Sequence, residues 1–574
     1  MTRTDTFVVG TLVVLLALVA GLVGVPALEA TAALPSRTPT AAAPSAPFRE
    51  GVVGRPVSIS PFTAHSQADR DLVALIFSGL VRNGPDGTLV PDLAESWSMD
   101  PAGKVWTFQL RADATWQDGE PVTADDVAFT IHTLQDPAYV GPAAGSWSEV
   151  TVRAVGTRTV TFTLMTPLGG FLQAATQPIA PAHILQDVPV DALADDPFGT
   201  QPVGSGPFAL TELTDTHATL VPVTATPPCV GVCASPGVVD SLATPGSTLR
   251  PSHPVPYLGD IEIDFFSDET ALAAAYRAGD LDAASGLAPA DAADLAALPA
   301  SRSLRYPGST LTAVLLDLRP SHPEFSSPDV RTALLEAIDR THLIDTVYAG
   351  AATEATGPIP PSSPLYDAAA SPPVAFDRTA ARKGLERAGW SRKADGWHLP
   401  RAAKPLTIEV LSPDAKSNPT VWAAAGQVVS DWRHLGLTVT QVGLPAGQFV
   451  TDHLSKGDFQ VAVTDVAVGL DPDLYPLLAS SQTVTGASNI IGVQDPVLDG
   501  LMIAARAPGT PEARAAAYSK LQVQLAKGRY LLPLAFQDEV TVAKDALQGP
   551  VVRQVADPAD RFWDVLTWRL ADGR

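Results

Sequence analysis

The side chains able to do chemistry are few, and their spacing is poor for it. Ten histidines are spread along 574 residues, no two of them at i and i+4, the spacing that sets two imidazoles on one helix face for zinc. The G-x-S-x-G, H-E-x-x-H, P-loop and G-x-G-x-x-G strings are all missing, and with them the simplest nucleophile, zinc, phosphate and dinucleotide signatures. Gly204-Ser205-Gly206-Pro207 offers one serine, in a string that reads as a turn. Cys229 and Cys233 are the two cysteines, three residues between them, in a Pro-rich loop. Without a nearby His or further Cys they make a poor zinc site. Outside a cell a local disulfide pinning this loop is expected, with a free buried pair as the alternative. No metal site and no cofactor is expected, and the chain reads as a non-enzyme. A secreted hydrolase remains the rival, because catalytic triads are recognised by geometry and not by spacing.

Lys+Arg 38 against Asp+Glu 61 leaves a net charge of −23. Such a chain lacks a basic field for phosphate backbones, so nucleic acid is set aside as a partner. Apolar residues at 46% and charged ones at 17% mark a globular chain. At roughly 100–200 residues per domain it holds two to four domains.

Phe7–Val25 runs nineteen residues without a charge. As a helix it would be about 28 Å long, close to the hydrocarbon thickness of a bilayer and long for a cleaved secretory signal. Small residues around Ala27 and Ala30 offer cleavage sites, and no Cys follows for lipid attachment. Residues 1–30 are therefore read as an export signal retained as a membrane anchor, or secreted if cleaved. Thr31–Pro47 alternates Ala, Pro, Ser and Thr with one charge, the composition of a semi-extended tether; the linker is placed at 31–54.

Beyond it, short β-branched or aromatic runs bounded by Gly, Pro or Asp predict strands at 105–110, 159–164, 261–266, 406–411 and 437–442. Thr123 ahead of Asp125 and Asp126 predicts a helix start, as does Ser327-Pro328. Helices over 268–278 and 419–435 end at Gly279 and Gly436. The strand–helix–strand order at 406–442 points to an α/β fold. Pro222–Tyr257, polar and rich in Pro, is a surface excursion.

The stretch Ile76–Leu134, with GLVRNGPDGTLVPDLAESW, VWTFQLR and WQDGEPVTADDV in that order, resembles the signature region of the family 5 (peptide/nickel type) extracellular solute-binding proteins of ABC importers. PIAPAHILQDV at 178–188, PVGSGPF at 202–208, FSDETALAAAYRAGDLD at 266–282, VRTALLEAIDRTHLIDTVYAG at 330–350 and FDRTAARKGLERAGW at 376–390 are similar to later family segments. The likeness runs from residue 55 to the C-terminus. It implies a periplasmic-binding-protein-like type II fold: a multi-lobed monomer with an interdomain cleft that closes by hinge motion. Lobe I is expected at about 55–68, 170–314 and 533–574, lobe II at 69–169 and lobe III at 315–532. The implied ligand is an oligopeptide or similar small solute, and the implied partners are an ABC permease and its ATPase, with a sensory role as a lesser reading.

The same resemblance places the cleft lining. Ser60–Ser66 would contribute Phe62, Thr63, His65 and Ser66, and the 464–473 stretch Asp465, Val466, Ala467, Val468, Gly469 and Asp471. Phe536 would face the cleft at the return crossing. Peptide-binding members carry an acidic residue shortly before a DP pair, where it anchors the ligand's ammonium, and here Val468 or Gly469 stands in that place. Asp465 or Asp471 would have to substitute, because a buried ammonium with no carboxylate is costly. A non-peptide solute, such as an oligosaccharide or a metal chelate, is the binding-class rival. The 222–257 excursion replaces a short turn in relatives and covers the cleft mouth or meets a partner.

Overall fold

A computed structural model describes residues 47–84, 87–142, 147–223, 257–483 and 488–571. The expected anchor, nearly all of the tether, both cysteines and most of the 222–257 excursion lie outside the described residues. Among the described residues no helix is long and apolar enough to cross a membrane.

The tether ends earlier than expected. Phe48–Val53 is a strand, and it pairs in parallel with Ile261–Phe266 on one side and Ala283–Ser285 on the other. The Pro/Ala/Ser/Thr composition stops at Pro47, and Phe48 and Val52 are buried, so this segment belongs to the sheet and not to the linker.

The main sheet has eleven strands. Its order is 438–444, 407–413, 461–467, 301–316, 532–544, 283–285, 48–53, 261–266, 217–222 and 208–213, with 352–354 also on the 532–544 strand. A separate four-stranded antiparallel sheet is built from 94–99, 105–110, 159–164 and 150–155. The strands at 105–110, 159–164 and 261–266 match the boundaries expected from sequence; the other two begin and end slightly later, at Thr407–Pro413 and Thr438–Leu444.

The helix signals act locally. Thr123 and Asp126 close a capping box on Ala124–Gln135. Asp268 caps Glu269–Ala278, which stops at Gly279 in the left-handed conformation. Asn418 caps Pro419–Leu435, and Gly436 ends it the same way.

Two long antiparallel strands, Ser301–Leu316 and Leu532–Lys544, carry the architecture. Along their outer halves they border two cores, with Val314, Leu316, Leu532 and Leu534 in one and Leu311, Ala313, Leu315 and Phe536 in the other; 311–316 alternates with the twofold strand period, whereas on the partner strand a register shift between Thr312↔Ala535 and Ala313↔Pro533 separates Leu534 from Phe536. Along their inner halves Leu304, Tyr306 and Ala543 join a different cluster, and Val542 a fourth. Between them the pairing register slips from Pro307↔Asp538 to Leu311↔Phe536.

At the slip the chain reads Pro307-Gly308-Ser309-Thr310 against Gln537-Asp538-Glu539, without a Val, Leu, Ile or aromatic side chain. A β-carbon on Gly308 would lie 2.2 Å from the Gln537 carbonyl oxygen, so only glycine lets the strands approach there. The change of core falls a few residues outside the Leu315 and Pro533 expected from sequence. The regions expected as first and second lobes share one apolar cluster, running from Phe48 and Phe62 through Phe108 and Phe162 to Trp568.

Candidate ligand-binding site

The 58–69 segment is organised by a single carboxylate. Asp69 accepts backbone N–H bonds from Val57, Ser58, His65 and Ser66 at 2.6–3.1 Å, and Ser66 caps the helix Gln67–Ile76 in return. Phe62 is fully buried, edge-on to Phe129 and Tyr139, with its carbonyl accepting from the Tyr139 hydroxyl. Its ring is packed in the core. Thr63 Oγ1 lies 2.5 Å from Ser58 Oγ. The Ser66 side chain is engaged in the cap, while His65 is exposed and its carbonyl accepts from Arg70.

The second segment separates its two acids. Asp471 takes a two-pronged ion pair from Arg514, Nη1 and Nη2 donating at 2.6 and 2.8 Å. The charge of that carboxylate is already matched by Arg514. Val468 and Phe536 are buried in one apolar cluster and Val466 packs against it; strand alternation turns all three from the face of Asp465. Ala467 shares that face and is exposed. Gly469 has φ of +76°, the left-handed conformation that turns the chain away from the strand end.

Asp465 is different. It sits on Val461–Ala467 directly opposite Thr312, next to the register slip. Thr312 Oγ1 and Gln537 Nε2 each donate to its Oδ1 at 2.7 Å. Thr312 spends its only proton on Asp465, so the Tyr348 hydroxyl 2.7 Å away donates to Thr312, as does Gln537 at 2.9 Å. Oδ2 has one long contact, to Asn418 Nδ2 at 3.4 Å. No cation pairs with this partly buried carboxylate among the described residues. Burial raises its pKa above 3.8, opposed by the bonds from Thr312, Gln537 and Asn418.

Thr312, Gln537, Asn418 and Tyr348 are the site residues that sequence reasoning missed. Asn418 could have been found, since it precedes the Pro that opens a helix; Thr312 and Gln537 meet Asp465 only through strand pairing, and Tyr348 reaches Thr312 from the end of the 340–347 helix. Asn418 also places the N-terminus of the 419–435 helix, with its partial positive charge, beside Asp465.

A cavity of about 510 Å³ lies elsewhere, between the 67–76 helix, the 173–178 segment and the C-terminal stretch 553–566. Phe77, Trp147, Phe562 and Trp563 contribute to its wall, and none of the Asp465 network does. Among the described residues no group of three or more His, Cys, Asp or Glu is placed to hold a metal ion.

Comparison with known proteins bears on the same segments. The family described as bacterial extracellular solute-binding proteins, family 5 Middle, matches residues 88–489. Protein XP55 of Streptomyces lividans is 29% identical over 509 residues, covering 87% of this chain and 85% of that protein. The nickel-binding periplasmic protein of Escherichia coli is 27% identical over 410 residues, 68% of this chain and 70% of its own length. The periplasmic oligopeptide-binding protein OppA of Haemophilus influenzae is 25% identical over 538 residues, 88% and 91% of the two chains. In fold, the oligopeptide-binding protein AppA of Bacillus subtilis, solved with a nonapeptide, gives a TM-score of 0.69 at 21% identity over 92% of this chain and 99% of its own. HbpA2 of Haemophilus parasuis gives 0.73 at 20%, covering 92% of this chain and all of its own. The mixed α/β architecture with several sheets is that of periplasmic binding proteins, the matches are solute-binding proteins and not enzymes, and the location they support is extracytoplasmic. The chain belongs to the bacterial extracellular solute-binding proteins, family 5.

Proposed function

We propose that this chain captures a solute carrying a free amine, in the manner of an oligopeptide, and delivers it to an ABC permease whose ATPase subunits supply the energy. The chain itself catalyses no reaction. The observation that carries the reading is Asp465: a partly buried carboxylate with only neutral donors, on a strand beside the slip where the apolar cores part. An ammonium reaching Oδ2 would complete it as a charge-assisted pair. Lobes hinged at 307–310 and 537–539 would close around the solute, and relatives named for oligopeptides and for nickel agree with a small-solute receptor. Phe7–Val25 would hold it at the outer face of the membrane, and the tether would keep it near its transporter. N-terminal sequencing of the mature protein should find Met1 or Thr2; a start near Thr31 overturns the anchor.

The test is a thermal-shift series on residues 46–574, which form a compact unit, with free-amine and N-acetylated peptide pools. Ligand at a hundred times its Kd adds about 2.7 kcal/mol of stability. A shift with free-amine peptides alone is expected, and its loss in Asp465→Asn ties it to this carboxylate. The burial of Val468, where the resemblance expects an acid, favours a second reading in which the solute has no ammonium. A shift with sugars or metal chelates alone would select it.

A further inference from the structure

We infer that the turn Pro167–Gly170, the carbonyl of Arg506 and the Asp471–Arg514 ion pair form a clasp that fastens the second lobe to the third and so holds the cleft shut. The inference rests on reading the chain as a hinge-closing receptor.

Chain connectivity does not force this contact. The 94–164 sheet joins the rest through the first-lobe strands, and the 311–536 region leaves and returns through the 301–316 and 532–544 strands. The apolar cores do not force it either. Phe171, Leu168 and Leu172 belong to the cluster around Phe162, whereas Met502, Ala505 and Tyr518 belong to the cluster around Phe536. The two bodies nevertheless meet. Gly169 N–H donates to the Arg506 carbonyl at 2.7 Å, and Asp471, fixed by both arms of Arg514, lies directly against Gly170.

The glycines are there for room. Gly170 has φ of −82° and ψ of 2°, open to any residue, so torsion does not call for glycine. A β-carbon at Gly170 would stand 2.7 Å from Asp471 Cγ, and one at Gly169 would stand 2.9 Å from both the Ala507 carbonyl oxygen and Arg514 Nε. A third close approach is at Gly103, where a β-carbon would be 2.6 Å from Pro508 Cγ, although its φ of +71° by itself also favours glycine.

On the far side Arg506 pairs with Asp473 at 2.9 Å and lies over the Tyr475 ring, and the Tyr518 hydroxyl donates to the Pro472 carbonyl. The surface that receives the turn is therefore built by side chains that bind one another and stays in shape when the turn leaves. An interface of one backbone hydrogen bond and close glycine packing, with no shared apolar core, opens without exposing a core. That is what a receptor needs if it must retain a solute and then release it to a membrane partner. Asp471 and Arg514 are positioning residues for closure, and solute need not touch them.

Hydrogen–deuterium exchange on the full-length chain tests this without any solute. In the parent protein the Gly169 amide should exchange at least tenfold more slowly than an open turn amide. Gly170→Val and Arg514→Ala, acting from opposite sides of the contact, should each return it to the open rate while the amides of Val461–Val463, Leu532 and Leu534 keep their protection. Arg514→Lys, which keeps the charge but loses the fork, should fall between. A Gly169 amide already at the open rate in the parent, or protection unchanged in both Gly170→Val and Arg514→Ala, overturns the clasp. Neither result bears on solute capture, which stands or falls on the thermal-shift series, so the two failures are separable.

Discussion

Asp465 and Glu539 are acids without a cationic hydrogen-bond partner among the described residues, and both should reveal themselves through stability. Burial raises the pKa of Asp465, so its contribution to stability is present below the ordinary value of 3.8 and lost as pH rises through the raised one. In its ionised form it destabilises the solute-free protein. Asp465→Asn keeps an oxygen for Thr312 and Gln537 and drops the charge. It should raise the Tm of the solute-free protein at pH 7 while removing the shift with free-amine peptides, and a lowered Tm would contradict the account. Glu539 stands two residues beyond Gln537, opposite Tyr306. Burial first, then the charge of Asp557, pushes it up to about 7, against the pull of Arg561 and Arg70, with Asp538 adding a small push. Its stabilising contribution is full below about 4.5 and disappears as pH rises through about 7. Melting curves between pH 5 and 8 should fall with pH, and less steeply in Glu539→Gln.

At the scale of elements, the helices and short strands were legible because their signals are local. Asp268 with Gly279, and Asn418-Pro419 with Gly436, bracket helices by cap chemistry that needs no tertiary partner. The helix at 328–336 shows the limit of such reading. Val330, Leu334, Ala337 and Ile338, spaced for one helix face, are all buried, yet the helix stops at Glu336 because Asp339 caps another one over Arg340–Val347. What holds this element is distant. Arg331 donates to the carbonyls of Phe325, Ser326, Gly528 and Arg529, and desolvation lowers its pKa to about 10. Arg331→Ala strands several buried acceptors at about 1–3 kcal/mol each. A loss of at least about 3 kcal/mol is expected, read as a lower denaturation midpoint.

At the scale of the molecule, the two ends of the described chain are locked together by charge. Arg561 donates from Nη1 and Nη2 to both oxygens of Asp71 at 2.7 Å and from Nε to Glu50 at 3.0 Å, all three side chains being at most 3% exposed. Burial raises the Asp71 pKa and Arg561 opposes it. Arg561→Met would leave two carboxylates in an apolar surround, a loss of about 3–5 kcal/mol. It should lower the Tm sharply at pH 7 and less at pH 4, where protonation relieves the uncompensated charge. An equal loss at both pH values would assign the effect to packing.

Read alone, the sequence carries the α/β class, several helix and strand positions, the order of segments resembling family 5, and the absence of simple catalytic strings, because each is written in neighbouring residues or in periodicity. It also offered Asp465 and Asp471 as candidate anchors, and the tertiary structure gives the two acids different partners. Arg514, 43 residues away in sequence, neutralises Asp471, while strand pairing gives Asp465 Thr312 and Gln537, which are 153 and 72 residues distant and uncharged. Which acid keeps its charge free for a solute depends on what packing brings within about 3 Å, and no local spacing encodes that.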